Sequence, residues 1–196
     1  MRFLPEASIV ASDINADHVE FCARRFGAVP LLSRQDLREV AVDRPIDLLW
    51  CGSLLTHLSA DGVRDGLHHM VGWLVPGGIA IFTLHGRGPC AVNATRPIKY
   101  IDDKAFASIA EGVTRDGFGY ADYPDRRLER YGVSVSLPHW VMGTVDTMED
   151  VRVLDYTERG WDNHQDVLIL RKIPIAARPW IFEDRVDEQP ANASVG

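Results

Sequence analysis

Short apolar runs alternate with amphipathic stretches along the first half of the chain. Apolar runs of this length are typical of buried parallel strands, and they occupy residues 8–12, 28–32, 46–51 and 79–84. Two of the intervening segments, one after Asn15 and one after Ser59, carry apolar residues at helical spacing behind a capping side chain. This order predicts an α/β domain with a mostly parallel sheet and helices on both faces.

The pattern becomes less regular after the fourth run. Residues 85–100 are rich in Gly, Pro, Asn and Arg and predict a loop. A helix is expected to begin at Asp102 or Asp103 and to stop at Gly117. Residues 118–131 then predict a second irregular stretch. The fourth run itself is expected to follow a helix that ends at the glycine pair 77–78.

The end of the chain predicts an antiparallel hairpin. Pro138 stands at a first-turn position for a short helix, and two apolar runs follow at residues 151–156 and 166–170. Their connection is too short for a parallel crossover. The sequence then becomes Pro-rich, polar and acidic. We therefore expect one domain over residues 1–172 and a tail over residues 173–196.

Composition narrows the class of protein. The 196 residues are 46% hydrophobic and 25% charged, which is typical of a soluble globular domain. A net charge of -7 argues against nucleic acid bound through a broad basic face, and no apolar run is long enough to span a membrane. The three cysteines are odd in number and widely spaced, so we expect a reduced, cytoplasmic protein without a disulfide framework or a metal site.

Two acidic side chains follow predicted strands at the edge where parallel sheets bind ligands. Asp13 can accept the hydroxyl hydrogens of an adenosine ribose, in a nicotinamide dinucleotide or in S-adenosylmethionine, or it simply helps Asn15 to cap the helix. Asp36 can meet an adenine amino group, or it belongs to an exposed turn that caps the residues after it.

The third strand is followed by small residues at the same edge. Gly52 and Ser53 allow a ligand to approach the backbone closely. Leu54 can pack on an adenine ring or a methionine chain, although ordinary core packing is a strong alternative explanation. His57 is a candidate general base, but a histidine at a helix start is commonly structural.

Acceptor-binding residues are harder to identify from the sequence. A polar, aromatic cluster at residues 161–165 lies in the predicted hairpin turn and is either near a substrate or a turn whose Gln165 and Asp166 bond the sheet edge. Residues 120–123 and 134–140 are candidates to line an acceptor pocket or to cover the core.

These segments together resemble class I S-adenosylmethionine-dependent methyltransferases. The similar motifs are Asp13 with Asn15-Ala-Asp-His, the run Ile46-Asp-Leu-Leu-Trp-Cys-Gly-Ser-Leu-Leu-Thr-His-Leu, the turn Leu74-Val-Pro-Gly-Gly, and the closing Gly160-Trp-Asp-Asn-His-Gln-Asp-Val-Leu-Ile-Leu-Arg. The resemblance implies a Rossmann-like sheet with a reversed last strand and S-adenosyl-L-methionine as the cofactor. It also implies a small-molecule or glycan-linked acceptor and these donor-binding residues: Asp13, Ile14, Asp36, Gly52, Ser53 and Leu54.

The sequence departs from that family in one respect. The family's first strand and its glycine-rich loop, which meets the donor's carboxylate, are missing from this sequence. Two interpretations stay open: the chain is a fragment or a mis-started translation, or it is a divergent protein that has lost its donor site. The intact remaining motifs favour the former. A missing central strand leaves unpaired edges, so we expect the 196-residue chain alone to bind the donor poorly and to self-associate.

Three functions are consistent with these observations. The favoured one is methyl transfer from S-adenosylmethionine. A non-catalytic methyltransferase-like remnant that serves as a binding or assembly domain is the alternative, and a nicotinamide-binding domain is weaker because its fingerprint would be the same absent loop.

Overall fold

The computed structural model describes residues 6–88, 102–124 and 130–174. Most of the predicted loop at 85–100 and nearly all of the predicted tail at 173–196 lie outside the described residues, so both stay predictions. No helix in the described ranges has the length and apolar character needed to cross a membrane.

The first unit is strand β1 (Val10–Asp13), helix α1 (Ala16–Phe26) and strand β2 (Val29–Leu32). The two strands pair in parallel, as predicted. Asn15 caps α1 by accepting the Asp17 N–H, and Gly27 ends the helix at a φ of 68°, a conformation that favours glycine. Asp13 is the last residue of β1 rather than the residue after it.

The second unit is strand β3 (Ile46–Cys51), helix α2 (Ala60–Gly72) and strand β4 (Leu74–Leu84), with β3 and β4 parallel. Ser59 caps α2 as predicted. The expected helix end at the glycine pair 77–78 is wrong, because α2 ends at Gly72 and β4 already includes the Pro-Gly-Gly turn. A Cβ on Gly78 would lie 3.1 Å from the Ile46 carbonyl, so the glycine permits a close approach to β3.

The third unit is helix α3 (Asp103–Asp116), strands β5 (Phe118–Asp122) and β6 (Gly132–Ser136), and helix α4 (Pro138–Asp146). The prediction of an irregular stretch from 118 is wrong over β5, which pairs antiparallel with β6. A Cβ on Gly119 would lie 2.0 Å from the Ile109 carbonyl. This strand therefore depends on tight packing against α3. Its sequence has no apolar run that would predict a strand.

The last unit is the predicted antiparallel hairpin, which is longer than expected. Strands β7 (Val151–Trp161) and β8 (Gln165–Lys172) pair through a turn at residues 162–164. Strand β8 also pairs antiparallel with β4, so the last strand is reversed as the family resemblance implies.

The strands form three sheets rather than one. Their orders are β1–β2, β3–β4–β8–β7 and β5–β6. The four apolar runs of the first half are therefore parallel in two pairs, and within the described residues β1 pairs only with β2 and β3 only with β4. The main core lies between the four-stranded sheet and the helices α2 and α4, and its fully buried side chains include Leu55, Val63, Leu67, Phe82, Val141, Leu168 and Leu170.

Candidate active site

The turn after β3 is held in a fixed shape. Ser53 has a φ of 60°, and its N–H donates to Oγ1 of the fully buried Thr83 at 2.8 Å. Thr56 Oγ1 donates back to the Ser53 carbonyl at 2.8 Å. A left-handed conformation is uncommon for a residue with a side chain, and these two bonds stabilise it here. The turn leads into a short 3-10 segment that ends at His57.

His57 lies at the end of that segment, not at a helix start as the sequence suggests. Its Nδ1 is 2.8 Å from the Gly132 carbonyl and 3.1 Å from the Tyr123 hydroxyl oxygen. A carbonyl only accepts, so Nδ1 carries the hydrogen. The imidazole also stacks on Tyr131 with 4.8 Å between ring centroids. In the neutral ring, Nε2 is therefore the nitrogen with the free lone pair.

His85 follows the carboxyl end of β4 and is buried. Its Nδ1 donates to the Ser134 carbonyl at 3.1 Å. Burial, and next the nearby His164, lower the pKa of His85 to about 4. His85 is consequently a neutral side chain at physiological pH. The rings of His85 and His164 meet edge to face, with 5.1 Å between their centroids.

Gln165 begins β8 and reaches the turn after β3. Its Nε2 donates to the Ser53 hydroxyl oxygen at 2.6 Å. Its Oε1 is buried and has no hydrogen-bond partner among the residues that the structure describes. Leaving a buried acceptor unsatisfied costs about 1–3 kcal/mol, so a ligand that donates to it would be stabilised. Neighbouring Asp166 accepts the Arg159 N–H and the Tyr156 hydroxyl.

These side chains line an open cavity of about 250 Å³. It is lined by Ser53, His57, His85, Tyr123, His164 and Gln165. The lining residues come from the ends of β3 and β4, from the β7–β8 hairpin and from the segment after β5. Within the described ranges, no group of three or more His, Cys, Asp or Glu residues has the geometry to hold a metal ion.

Asp13 lies at the same end of the strands as this cavity. Burial, and next the negative charge of Asp13, raise the pKa of Tyr131, which is the residue stacked on His57. The Asp13 carboxylate accepts the Asn15 N–H at 2.7 Å and lies 3.3 Å from His18 Nδ1. The capping role is thus observed, and the ribose role stays a prediction.

The other predicted donor-binding residues are placed as follows. Ile14 is exposed beside Asp13, and Leu54 packs partly buried against the main core. Asp36 caps the 3-10 turn Leu37–Glu39 and binds Arg38 through both carboxylate oxygens, and these bonds lower its pKa to about 2. Its predicted contact with an adenine amino group stays a prediction.

Gly52 permits a close approach to its backbone, and the side chains of two tryptophans occupy that space. A Cβ on Gly52 would lie 2.8 Å from Trp50 Nε1 and 3.0 Å from the Trp161 ring. The two indoles meet edge to face at 5.2 Å between centroids. Any larger residue at this position would displace an indole.

Comparison with known proteins identifies the fold. No protein-family model and no curated protein sequence matches the chain. An S-adenosylmethionine-dependent methyltransferase from Clostridium acetobutylicum is similar in structure, with 15% identity over 86% of this chain and 76% of that one and a TM-score of 0.57. One from Methanosarcina mazei has 15% identity over 85% and 82%, with a TM-score of 0.52. A complex of LepI with SAM has 6% identity over 87% and 38%, with a TM-score of 0.52. The chain has the fold of a class I S-adenosylmethionine-dependent methyltransferase.

One cavity residue of this methyltransferase fold, His85, is not identified as functional by the sequence, which places it in a loop. Gln165 belongs to the predicted cluster at residues 161–165, but its unpartnered oxygen requires coordinates to be seen. His85 directly follows the carboxyl end of a predicted strand. The rule that selected Asp13 and Gly52 would have found it.

Proposed function

We propose that the protein is an S-adenosylmethionine-dependent methyltransferase that acts on a small-molecule or glycan-linked acceptor, in the cytoplasm. The observation that carries this proposal is the cavity lined by His57, His85 and Gln165. It lies at the carboxyl ends of β3 and β4 in a methyltransferase fold, where open α/β sheets bind ligands. Its buried polar side chains and its size are suited to one small reacting group.

The residues at the β1 end fit the nucleoside part of the donor. Asp13 has a partly exposed carboxylate, and each of its oxygens has one polar contact among the residues that the structure describes. Because a carboxylate offers about four lone-pair sites, it retains capacity for ribose hydroxyls. Ile14 is 44% exposed beside it and offers apolar surface to an adenine ring. Ser53 and Leu54 would complete the site from β3.

The chemistry assigned to the chain's own residues is positioning and proton transfer. The donor, when bound, supplies an electrophilic methyl group. The Gly132 carbonyl and the Tyr131 ring fix the orientation of His57, so that its Nε2 is available to take a proton from an acceptor.

Calorimetric titration of S-adenosylhomocysteine into the full gene-encoded protein tests the proposal. Asp13→Ala is expected to weaken binding by about 1–3 kcal/mol, because ribose hydroxyls lose their acceptor. Asp17→Ala removes an exposed carboxylate from the same helix start and serves as the matched control. Absence of binding, or an equal effect of both substitutions, would contradict donor binding at β1.

A second candidate function, assembly with another chain, has its own support. Within the described residues, the outer edge of β3 has no strand partner, and Leu48 and Trp50 on this strand are 52% and 53% exposed. Open edges and exposed apolar side chains favour association. Light scattering over a concentration series measures it. A monomer at all concentrations would eliminate this candidate, while association without binding of S-adenosylhomocysteine would favour it over methyl transfer.

A further inference from the structure

The cavity presents hydrogen-bond acceptors to a ligand. Gln165 is 7% exposed, its amide nitrogen is held by Ser53, and its Oε1 is the buried oxygen without a partner in the described part of the chain. His57 has its Nδ1 hydrogen directed at the Gly132 carbonyl, so its free nitrogen is also an acceptor. A ligand that satisfies both atoms must therefore carry two hydrogen-bond donors.

The cavity also disfavours a charged ligand. Among the described residues, its six lining residues include no Lys, Arg, Asp or Glu. An anionic group would therefore lose its hydration without gaining a cationic partner. A cationic group meets the same problem, because the described lining residues offer it no carboxylate partner in exchange for its hydration. An uncharged group with polar hydrogens fits this lining.

We propose that the cavity takes an uncharged acceptor with two hydroxyl groups, one donating to His57 Nε2 and the other to Gln165 Oε1, and that the first is the group that is methylated. This inference rests on the proposed function for the methyl donor. In the transfer, the acceptor O–H bond breaks and its proton goes to His57 Nε2. A new C–O bond forms while the donor's S–CH₃ bond breaks. The products are a methyl ether, S-adenosylhomocysteine and an imidazolium ion that returns its proton to water.

The binding part of the proposal is tested without the donor. Four probes share one ring: cyclohexane-1,2-diol, 1,2-dimethoxycyclohexane, cyclohexylammonium and cyclohexanecarboxylate. Each is titrated into the full protein while the NMR signals of the histidine rings and of the Gln165 side-chain amide are followed. We expect the diol to shift the signals of His57 and Gln165 and the other three probes to leave them in place.

Two variants locate the contacts. Gln165→Met keeps the length of the side chain and removes its oxygen, and it is expected to weaken diol binding by about two- to tenfold. His57→Asn places an amide N–H near the Gly132 carbonyl but lacks Nε2, and a similar loss is expected. His57→Gln lacks the Nδ1 donor to the Gly132 carbonyl. This variant shows how much of any loss of diol binding comes from that structural hydrogen bond rather than from the ligand contact.

Several outcomes would overturn the proposal. One is failure of the diol to bind, and another is binding of either charged probe at least as tightly as the diol. Equal or tighter binding of the dimethoxy probe would mean that the Gln165 amide turns its N–H₂ into the cavity. Since no donor is present, these results are independent of the S-adenosylhomocysteine titration. If the diol binds but S-adenosylhomocysteine does not, the diol site is supported and the proposed methyl transfer is contradicted.

Discussion

The first unit and the four-stranded sheet differ in how much apolar surface they bury. In β1–α1–β2, the buried apolar residues are Val19 and Ala28, while large side chains stay about half exposed: Ile9, Ile14, Phe21, Phe26 and Leu32. The four-stranded sheet with α2 instead contains a continuous core in which Phe82, Leu168 and Leu170 are fully buried.

This difference separates the two parts of the candidate site. Asp13 and Ile14, the candidates for the nucleoside, lie on the unit with little buried apolar surface. The cavity with His57, His85 and Gln165 lies at the ends of the strands that form the main core. Segments with few buried apolar contacts open at lower free energy than the core. We therefore expect β1–α1–β2 to open while the four-stranded sheet stays folded.

The largest expected effect comes from two phenylalanines. Phe82→Ala removes a fully buried ring from β4 and should lower the free energy of unfolding by about 3–5 kcal/mol. Phe21→Ala removes a ring that is 54% exposed on α1 and should change it by less than about 0.5 kcal/mol. Urea unfolding followed by circular dichroism measures both. Similar losses for the two variants would show that the units share one core.

The next largest effect is the pH dependence that His85 gives to the stability of the part of the molecule with the four-stranded sheet. Its pKa is about 4 in the folded protein and about 6.5 when unfolded, so above the unfolded value both states are neutral and stability is complete. As pH falls between these values, only the unfolded state gains the proton. Stability should therefore decrease by up to about 3 kcal/mol by pH 4 and then level off.

His85→Asn isolates that contribution. An asparagine amide nitrogen lies near the position of Nδ1 and can still donate to the Ser134 carbonyl, but it does not titrate. Urea unfolding of both proteins from neutral pH to about pH 4 should give a shallower decline for the variant. Parallel curves for variant and parent would mean that His85 is protonated when folded.

A smaller effect distinguishes the regions through their helix caps. Ser59→Ala and Asn15→Ala each remove a capping oxygen, worth about 1 kcal/mol to the helix. We expect Ser59→Ala to lower the free energy of global unfolding. Asn15→Ala should accelerate hydrogen exchange in α1 without moving the urea transition. A shift of that transition by Asn15→Ala would contradict independent opening of the first unit.

Sequence reasoning predicted the elements better than their arrangement. Apolar runs and caps at Asn15, Ser59 and Gly117 identify the parallel pairs and three helix ends, because these signals are local. Strand β5 was missed, since its formation depends on Gly119 packing against Ile109 on α3. The separation of β1 and β3 into two sheets, in contrast, agrees with the unpaired edges that a missing central strand predicts.

In the candidate site, too, the features that depend on local sequence were predicted and those that depend on tertiary contacts were not. Ser53, His57 and Asp13 are predicted by position, because each follows or ends a strand at the ligand-binding edge. The fixed tautomer of His57 depends on the Gly132 carbonyl, 75 residues further along the chain. The unsatisfied oxygen of Gln165 likewise depends on a contact with Ser53 across the intervening strand β4. Such contacts are tertiary, and single-sequence patterns carry no information about them.

The smallest expected effect compares one charged side chain from each region. Lys172 is 17% exposed, and its Nζ donates to the Val71 and Gly72 carbonyls at the end of α2 at 3.1 and 3.3 Å. A cation here satisfies orphan carbonyls and favours the helix dipole, so Lys172→Met should cost about 0.5–1 kcal/mol. Arg24 forms an exposed pair with Glu20 on α1, and Arg24→Met should cost less than about 0.5 kcal/mol. Urea unfolding at low and high salt measures both, with the Arg24 effect vanishing in salt because exposed pairs are screened. If the two variants lose equal, salt-sensitive amounts of stability, partial burial of Lys172 at the four-stranded sheet does not strengthen its charged contacts.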